Sequence, residues 1–203
     1  MVLGMVPMNP ANALTLSRFP LLFVIALLLY APFPGSCSLA FLLYLLTGFS
    51  DWLDGYVARR WAMVSNFGKF MDALTDKILM LGLFILFLTL RILPPLFLFP
   101  ILLVLGREFF VTGIRLVAAS RSVVMAAERS GKVKTIVQMV SVGALICAQA
   151  IDRDLRAMPF HALAARAMHL FGLVLFLIAV VCAVESGIRY TVKYRFLFQD
   201  GEI

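Results

Sequence analysis

Charge is scarce in this chain: 14% of its residues are Asp, Glu, Lys or Arg, against 63% that are hydrophobic. A water-soluble domain carries about 25% charged residues. With a mean hydropathy of +1.00, the shortage excludes a soluble globular domain and indicates an integral membrane protein. The net charge is +7, yet no basic tract interleaves with exposed aromatics, so a nucleic-acid partner is not expected. The basic residues instead gather at the ends of apolar runs, where they suit an anionic leaflet of the lipid bilayer. Cysteine is equally sparse. Cys37, Cys147 and Cys182 are odd in number and lack C-x-x-C spacing, which excludes a disulfide framework or a zinc site and leaves them as packing residues. No Lys or Arg precedes Arg18, so the first apolar run lacks the basic segment of a cleaved signal peptide and is expected to stay. No internal repeat is visible, which counts against an inverted-repeat transporter.

Long apolar runs are what the chain does have, and six of them predict an all-α membrane bundle in a single domain over 1–203. Residues 1–11 carry no charged side chain and two prolines, and are expected to form a short interfacial arm before a bundle over 12–195. The first span opens at Asn12, a plausible N-cap, and Pro20 is expected to kink it. PFPGS makes a turn into a second span over 38–60, and spans over 68–90 and 96–118 follow. A basic connection with Arg121, Glu128 and Arg129 leads to a fifth span over 130–151. The polar stretch 152–166, with His161, reads as a solvated loop before a sixth span over 167–190. There His169 is a packing residue, Glu185 pairs with Arg189 one turn on, and Tyr190, Lys193, Tyr194 and Arg195 anchor the end. Six spans return the chain to its starting side. Arg59, Arg60, Lys69, Arg121, Arg129, Lys132, Lys134, Lys193 and Arg195 share that side, so positive-inside bias predicts cytoplasmic termini.

One stretch departs from the apolar background. It reads D-x-x-D-G-x-x-A-R, eight residues, then G-x-x-x-D-x-x-x-D, and so spaces Asp51, Asp54, Gly55, Ala58, Arg59, Gly68, Asp72 and Asp76. At about 100 degrees per residue, each helix would carry two acids a turn apart, flanked by small residues. Unpaired anions in an apolar interior cost many kcal/mol or neutralise by taking up protons, so cations must be supplied. All-oxygen ligand sets favour hard divalent ions such as Mg2+, with Mn2+ as an alternative. Four acids balance two such ions, and paired metals stabilise attacking and leaving oxygens at phosphorus. The acids lie late in the second span and early in the third, at one membrane depth, so one shared site is expected.

These eight positions, with every gap matching, resemble the CDP-alcohol phosphotransferase family. The resemblance implies that a nucleotide-activated phosphate, commonly CDP-diacylglycerol, is attacked by an alcohol and that CMP leaves. It also implies that Asp51, Asp54, Asp72 and Asp76 ligate two metals, that Asp76 is in addition the general base, and that Gly55, Ala58, Arg59 and Gly68 accommodate the CDP moiety. The polar face Asn12, Thr15 and Arg18 resembles the opening of bacterial members, which adds Asn12 and Thr15 to the expected CDP contacts. Family members are commonly homodimers, and that expectation comes from the resemblance alone. A divalent-cation transporter is the alternative from a different class; Arg59 beside the acids suits a diphosphate and discourages passage of bare cations.

For the acceptor, the remaining polar groups inside or near the spans are Arg107, Arg115, Lys132, Lys134 and Thr135. They suit a dianion, because arginines fork onto phosphate oxygens and lysines add point charge. Glu108 is placed to face Thr112 one turn on. The segments REFFVTGIR and GKVKTIVQ resemble those of bacterial members that use sn-glycerol 3-phosphate, and the likeness runs from Asn12 to about Gln138. That acceptor is therefore expected over inositol phosphate, inositol or serine.

Overall fold

The computed structural model describes residues 10–61, 66–120 and 129–195; within those helices the side chains of 10–18, 50–61, 66–73, 76, 129–130 and 132 lie outside the description. Among the described residues six α-helices follow one another: α1 Pro10–Tyr30, α2 Ser36–Trp61, α3 Asn66–Thr89, α4 Leu98–Ser120, α5 Arg129–Asp154 and α6 His161–Lys193, with a 3-10 turn at Pro95–Phe97 before α4. All regular structure among the described residues is helical, as the apolar runs predict. Within that set three helical stretches, Pro95–Ser120, Val133–Asp154 and His161–Lys193, are long and apolar enough to cross a membrane. Phe19–Tyr30, Ser36–Phe49 and Lys77–Thr89 are shorter apolar helices. The protein is an all-α membrane protein.

Its apolar residues divide by packing rather than by distance from water. Leu27, Leu46, Leu116, Leu170 and Val181 stand exposed on the outside, where hydrocarbon rather than water satisfies them. Inside, Ile25, Leu83, Phe87, Val142, Leu145 and Phe176 are buried in one cluster. Phe176 of α6 meets Phe84 of α3 edge to face at 4.9 Å. Because lipid is as apolar as the core, helix pairing rests on close contact. Gly172 shows this: a Cβ there would stand 2.9 Å from the Leu145 side chain and 3.3 Å from its backbone nitrogen, so only glycine lets α6 lie so near α5.

The turns between α1 and α2, α3 and α4, and α5 and α6 gather at one end. Gly35 has φ +90, a conformation open to glycine, and it closes the expected PFPGS turn. His169 Nε2 is 2.7 Å from the Ile92 carbonyl, which ties α6 to the α3–α4 turn and makes it the packing histidine expected. The strongest tie is ionic. Asp154 Oδ2 accepts from the Ser38 N–H at 2.6 Å and the Ser38 hydroxyl at 2.8 Å, satisfying donors at the start of α2. Arg153 donates to the Leu29 and Ala31 carbonyls, each at 2.7 Å, at the end of α1.

This tie corrects the expected loop over 152–166. Asp152, Arg153 and Asp154 belong to α5, and α6 begins at His161, leaving 155–160 as the connection. Arg153 and Asp154 serve the ends of neighbouring helices instead of solvating a loop, while the alanine-rich stretch from Ala162 has high helix propensity. At the other terminus α1 begins at Pro10, where a proline is pre-organised for a first turn. Asn12 is thus inside the first turn and not at the N-cap, and Pro10 and Ala11 belong to the helix. The rest of the expected arm, 1–9, and the connection at 121–128, including Arg121 and Glu128, lie outside the described residues. Pro20 is housed within α1. The three cysteines are free and Cys37 is buried; Arg189 donates to Glu185 one turn away, as expected.

Candidate active site

The backbone of α2 carries Asp51 and Asp54, and that of α3 carries Asp72 and Asp76. Asp51 and Asp54 stand ten and seven residues before the end of α2 at Trp61, and Asp72 and Asp76 six and ten after the start of α3 at Asn66. At 1.5 Å per residue all four are about 9 to 15 Å along their helices from the α2–α3 connection. Gly55, Ala58 and Arg59 occupy the last two turns of α2, Gly68 the first turn of α3, and Asn12 and Thr15 the start of α1. The side chains of these ten residues lie outside the described set, as does that of Lys132.

What the described side chains build is a buried ionic junction across four helices. Glu108 on α4 accepts with one carboxylate oxygen from Arg107 at 2.9 Å and from Lys134 of α5. Arg107 and Lys134 are only 11% and 6% exposed, and ions so withdrawn from water need a counter-charge. Arg107 also donates to the Ser186 hydroxyl of α6 at 2.5 Å. It lies against Gly187, where a Cβ would come within 3.0 Å of Arg107 Cγ. Its Nε is buried without a hydrogen-bond partner among the described residues. Thr112 completes the third connection: its hydroxyl donates to the Glu108 backbone carbonyl at 2.7 Å and receives Lys77 Nζ of α3 at 2.5 Å. The Glu108 carboxylate therefore faces Arg107 and Lys134, and only its carbonyl faces Thr112, because two cations outbid a hydroxyl for an anion.

Lys77, Glu108, Lys134, Thr135 and Gln138 line one cavity of about 110 Å³ between α3, α4 and α5, walled on its apolar side by residues such as Leu81, Phe84 and Ile101. Thr135 donates to the Gly131 carbonyl at 3.1 Å. Of the expected acceptor-phosphate residues, then, Arg107 and Lys134 share a carboxylate, and Thr135 sits beside Lys134. Arg115 lies apart. It bonds the Tyr190 hydroxyl at 3.1 Å and stands over that ring, which stacks on Tyr194, in a cluster with Val111, Ile114 and Ala118.

Sequence reading missed Lys77, Ser186 and the paired role of Glu108. Lys77 directly follows Asp76, so its own intramembrane charge was a usable signal. It also joins the junction to the carboxylate helix. Ser186 carried no such mark, since a serine in an apolar helix is ordinarily a small packing residue.

Comparison with known proteins shows the family. A profile of the CDP-alcohol phosphatidyltransferase family matches residues 8–185. The CDP-diacylglycerol--glycerol-3-phosphate 3-phosphatidyltransferase of Bacillus subtilis (strain 168) is 34% identical over 168 residues, 77% of this chain and 85% of the relative. Its namesake from Rickettsia typhi is 36% identical over 138 residues, 68% of this chain and 76% of the relative. A third, from Mycoplasma genitalium, is 42% identical over 101 residues, 49% of this chain and 41% of the relative. With 8–185 matched and these relatives spanning most of it, the chain belongs to the CDP-alcohol phosphatidyltransferase family.

Proposed function

We propose that this protein transfers a phosphatidyl group from CDP-diacylglycerol to the primary hydroxyl of sn-glycerol 3-phosphate, giving phosphatidylglycerophosphate and CMP. The observation that carries the reading is the family's aspartate spacing in a chain whose curated relatives bear that activity in their names. The buried cations Arg107 and Lys134 support the choice of an acceptor that brings its own phosphate, since a buried guanidinium or ammonium strongly favours an anionic partner.

The donor set fits hard divalent ions: four carboxylates, two on each of two consecutive helices, at matching distances from their connection. Asp51, Asp54, Asp72 and Asp76 would hold two Mg2+, or Mn2+. When bound, such ions supply charge neutralisation at the diphosphate and at the leaving oxygen. Gly55, Ala58 and Gly68 leave room for the CDP moiety, Arg59 offers its guanidinium, and Asn12 and Thr15 offer polar groups from α1. Arg107, Lys134 and Thr135, with Lys132 earlier on α5, receive the acceptor's phosphate, while Arg115, held at Tyr190, adds positive charge from a separate cluster. Asp76 takes the proton of the primary hydroxyl. The hydroxyl oxygen then bonds to the β-phosphorus as the bond from that phosphorus to the bridging oxygen breaks, and CMP carries away the electron pair.

The basic residues flanking the α2–α3 and α4–α5 connections support a site and termini on the cytoplasmic side of a bacterial inner membrane, and the family likeness supports a homodimer. Purified protein incubated with CDP-dioleoylglycerol, glycerol 3-phosphate and Mg2+ tests the reading: CMP and phosphatidylglycerophosphate appear together. Release of CMP with inositol or serine but not with glycerol 3-phosphate would refute the acceptor.

A further inference from the structure

We infer that Glu108 is the positioning residue of the acceptor-phosphate site, an inference that rests on the acceptor reading above. Arg107 and Lys134 reach the site from α4 and α5, and both are almost wholly withdrawn from solvent. Two like charges held so close in a bilayer repel, and either could escape by swinging to the headgroups. A single oxygen of Glu108 accepts from both and holds them at a fixed separation.

The groups around the carboxylate are held in turn. Thr112 bonds the Glu108 carbonyl and takes a hydrogen bond from Lys77, and Arg107 is braced by Ser186. Two cations to one carboxylate leave a net positive charge at the pair, and Arg107 keeps a buried Nε–H that no described residue accepts. An incoming phosphate oxygen is the chemistry that uses that charge. Glu108, Lys134 and Thr135 also border one cavity, so the fixed ammonium stands beside space and a hydroxyl. Glu108 transfers no proton and touches no reacting atom; it acts through the two cations.

A purely structural ion pair predicts something different, which makes the inference testable. Glu108→Gln should raise KM for glycerol 3-phosphate about tenfold, the scale of one charge-assisted hydrogen bond, while KM for CDP-dioleoylglycerol shifts less than about threefold. Glu108→Asp, which keeps the charge on a shorter stem, should recover part of the difference. The reciprocal exchange Glu108→Lys with Lys134→Glu rebuilds a salt bridge but moves the ammonium; it should restore the melting temperature and leave KM for glycerol 3-phosphate high. If the exchange returned that KM to the wild-type value, or if Glu108→Gln moved both KM values equally, the positioning role would be overturned. Should Glu108→Gln fail to fold, Glu108→Asp and the exchange decide by the same readouts. Failure of the acceptor reading is distinguishable, because the wild-type protein would then turn over no glycerol 3-phosphate.

Discussion

In the proposed mechanism four aspartates, one arginine and one lysine carry the chemistry, and each makes a separable prediction. Asp51→Asn, Asp54→Asn, Asp72→Asn and Asp76→Asn should each abolish or severely reduce turnover, as should EDTA, with Mg2+ restoring the wild type. Near-wild-type rates in any two folded variants would contradict a shared metal site. Arg107→Ala and Lys134→Ala should raise KM for glycerol 3-phosphate about tenfold to a hundredfold, from the 1.5 to 3 kcal/mol typical of charge-assisted hydrogen bonds. Arg115→Ala should have a smaller effect, because Arg115 is exposed and engaged with Tyr190. Equal KM shifts for all three would merge the two clusters. At this scale the sequence was most informative where charge is rare. Asp51 to Asp76, Arg107 and Lys134 stood out against apolar surroundings, whereas Ser186 could be found only in three dimensions.

Between elements, the Arg153 and Asp154 tie does for two helix ends what a soluble protein often leaves to water. Arg153→Ala would leave the Leu29 and Ala31 carbonyls at the end of α1 without this donor, and Asp154→Ala would strip the acceptor from Ser38. Each should lower stability by about 1 to 3 kcal/mol, read as a lower melting temperature in detergent, with KM for both substrates little changed because the tie lies at the end away from Asp51 and Asp76. A changed KM for glycerol 3-phosphate with unchanged melting would contradict that division. The helices themselves were legible as apolar runs, and the α1–α2 turn as PFPGS. The length of the α5–α6 connection was not: Asp154 meets Ser38 across 116 positions, and local polarity cannot distinguish a residue capping a distant helix from one in a solvated loop.

For the whole molecule, charge asymmetry at the helix ends predicts the orientation proposed above. In a variant with its three cysteines replaced, a new cysteine at Ala157, between α5 and α6, should react with an impermeant thiol reagent from outside the cell. Cysteines at Ser65 and Ser122 should react only after permeabilisation, and the reverse pattern would put the acidic site on the wrong side for cytoplasmic substrates. All-α architecture and a membrane setting followed from hydropathy, since an apolar share of 63% leaves few other solutions. The way α3, α4, α5 and α6 meet at Glu108 did not, because helix neighbours in a bilayer are chosen by small-residue contacts such as Gly172 against Leu145 and by polar pairs that no single helix reveals.

Acceptor-dependent release of CMP tests the central claim most directly. With purified wild-type protein, CDP-dioleoylglycerol and Mg2+, CMP should appear on addition of sn-glycerol 3-phosphate in one-to-one ratio with phosphatidylglycerophosphate, and glycerol, inositol or serine at the same concentration should release far less. CMP release that was indifferent to glycerol 3-phosphate, or that followed an unphosphorylated alcohol instead, would contradict the account.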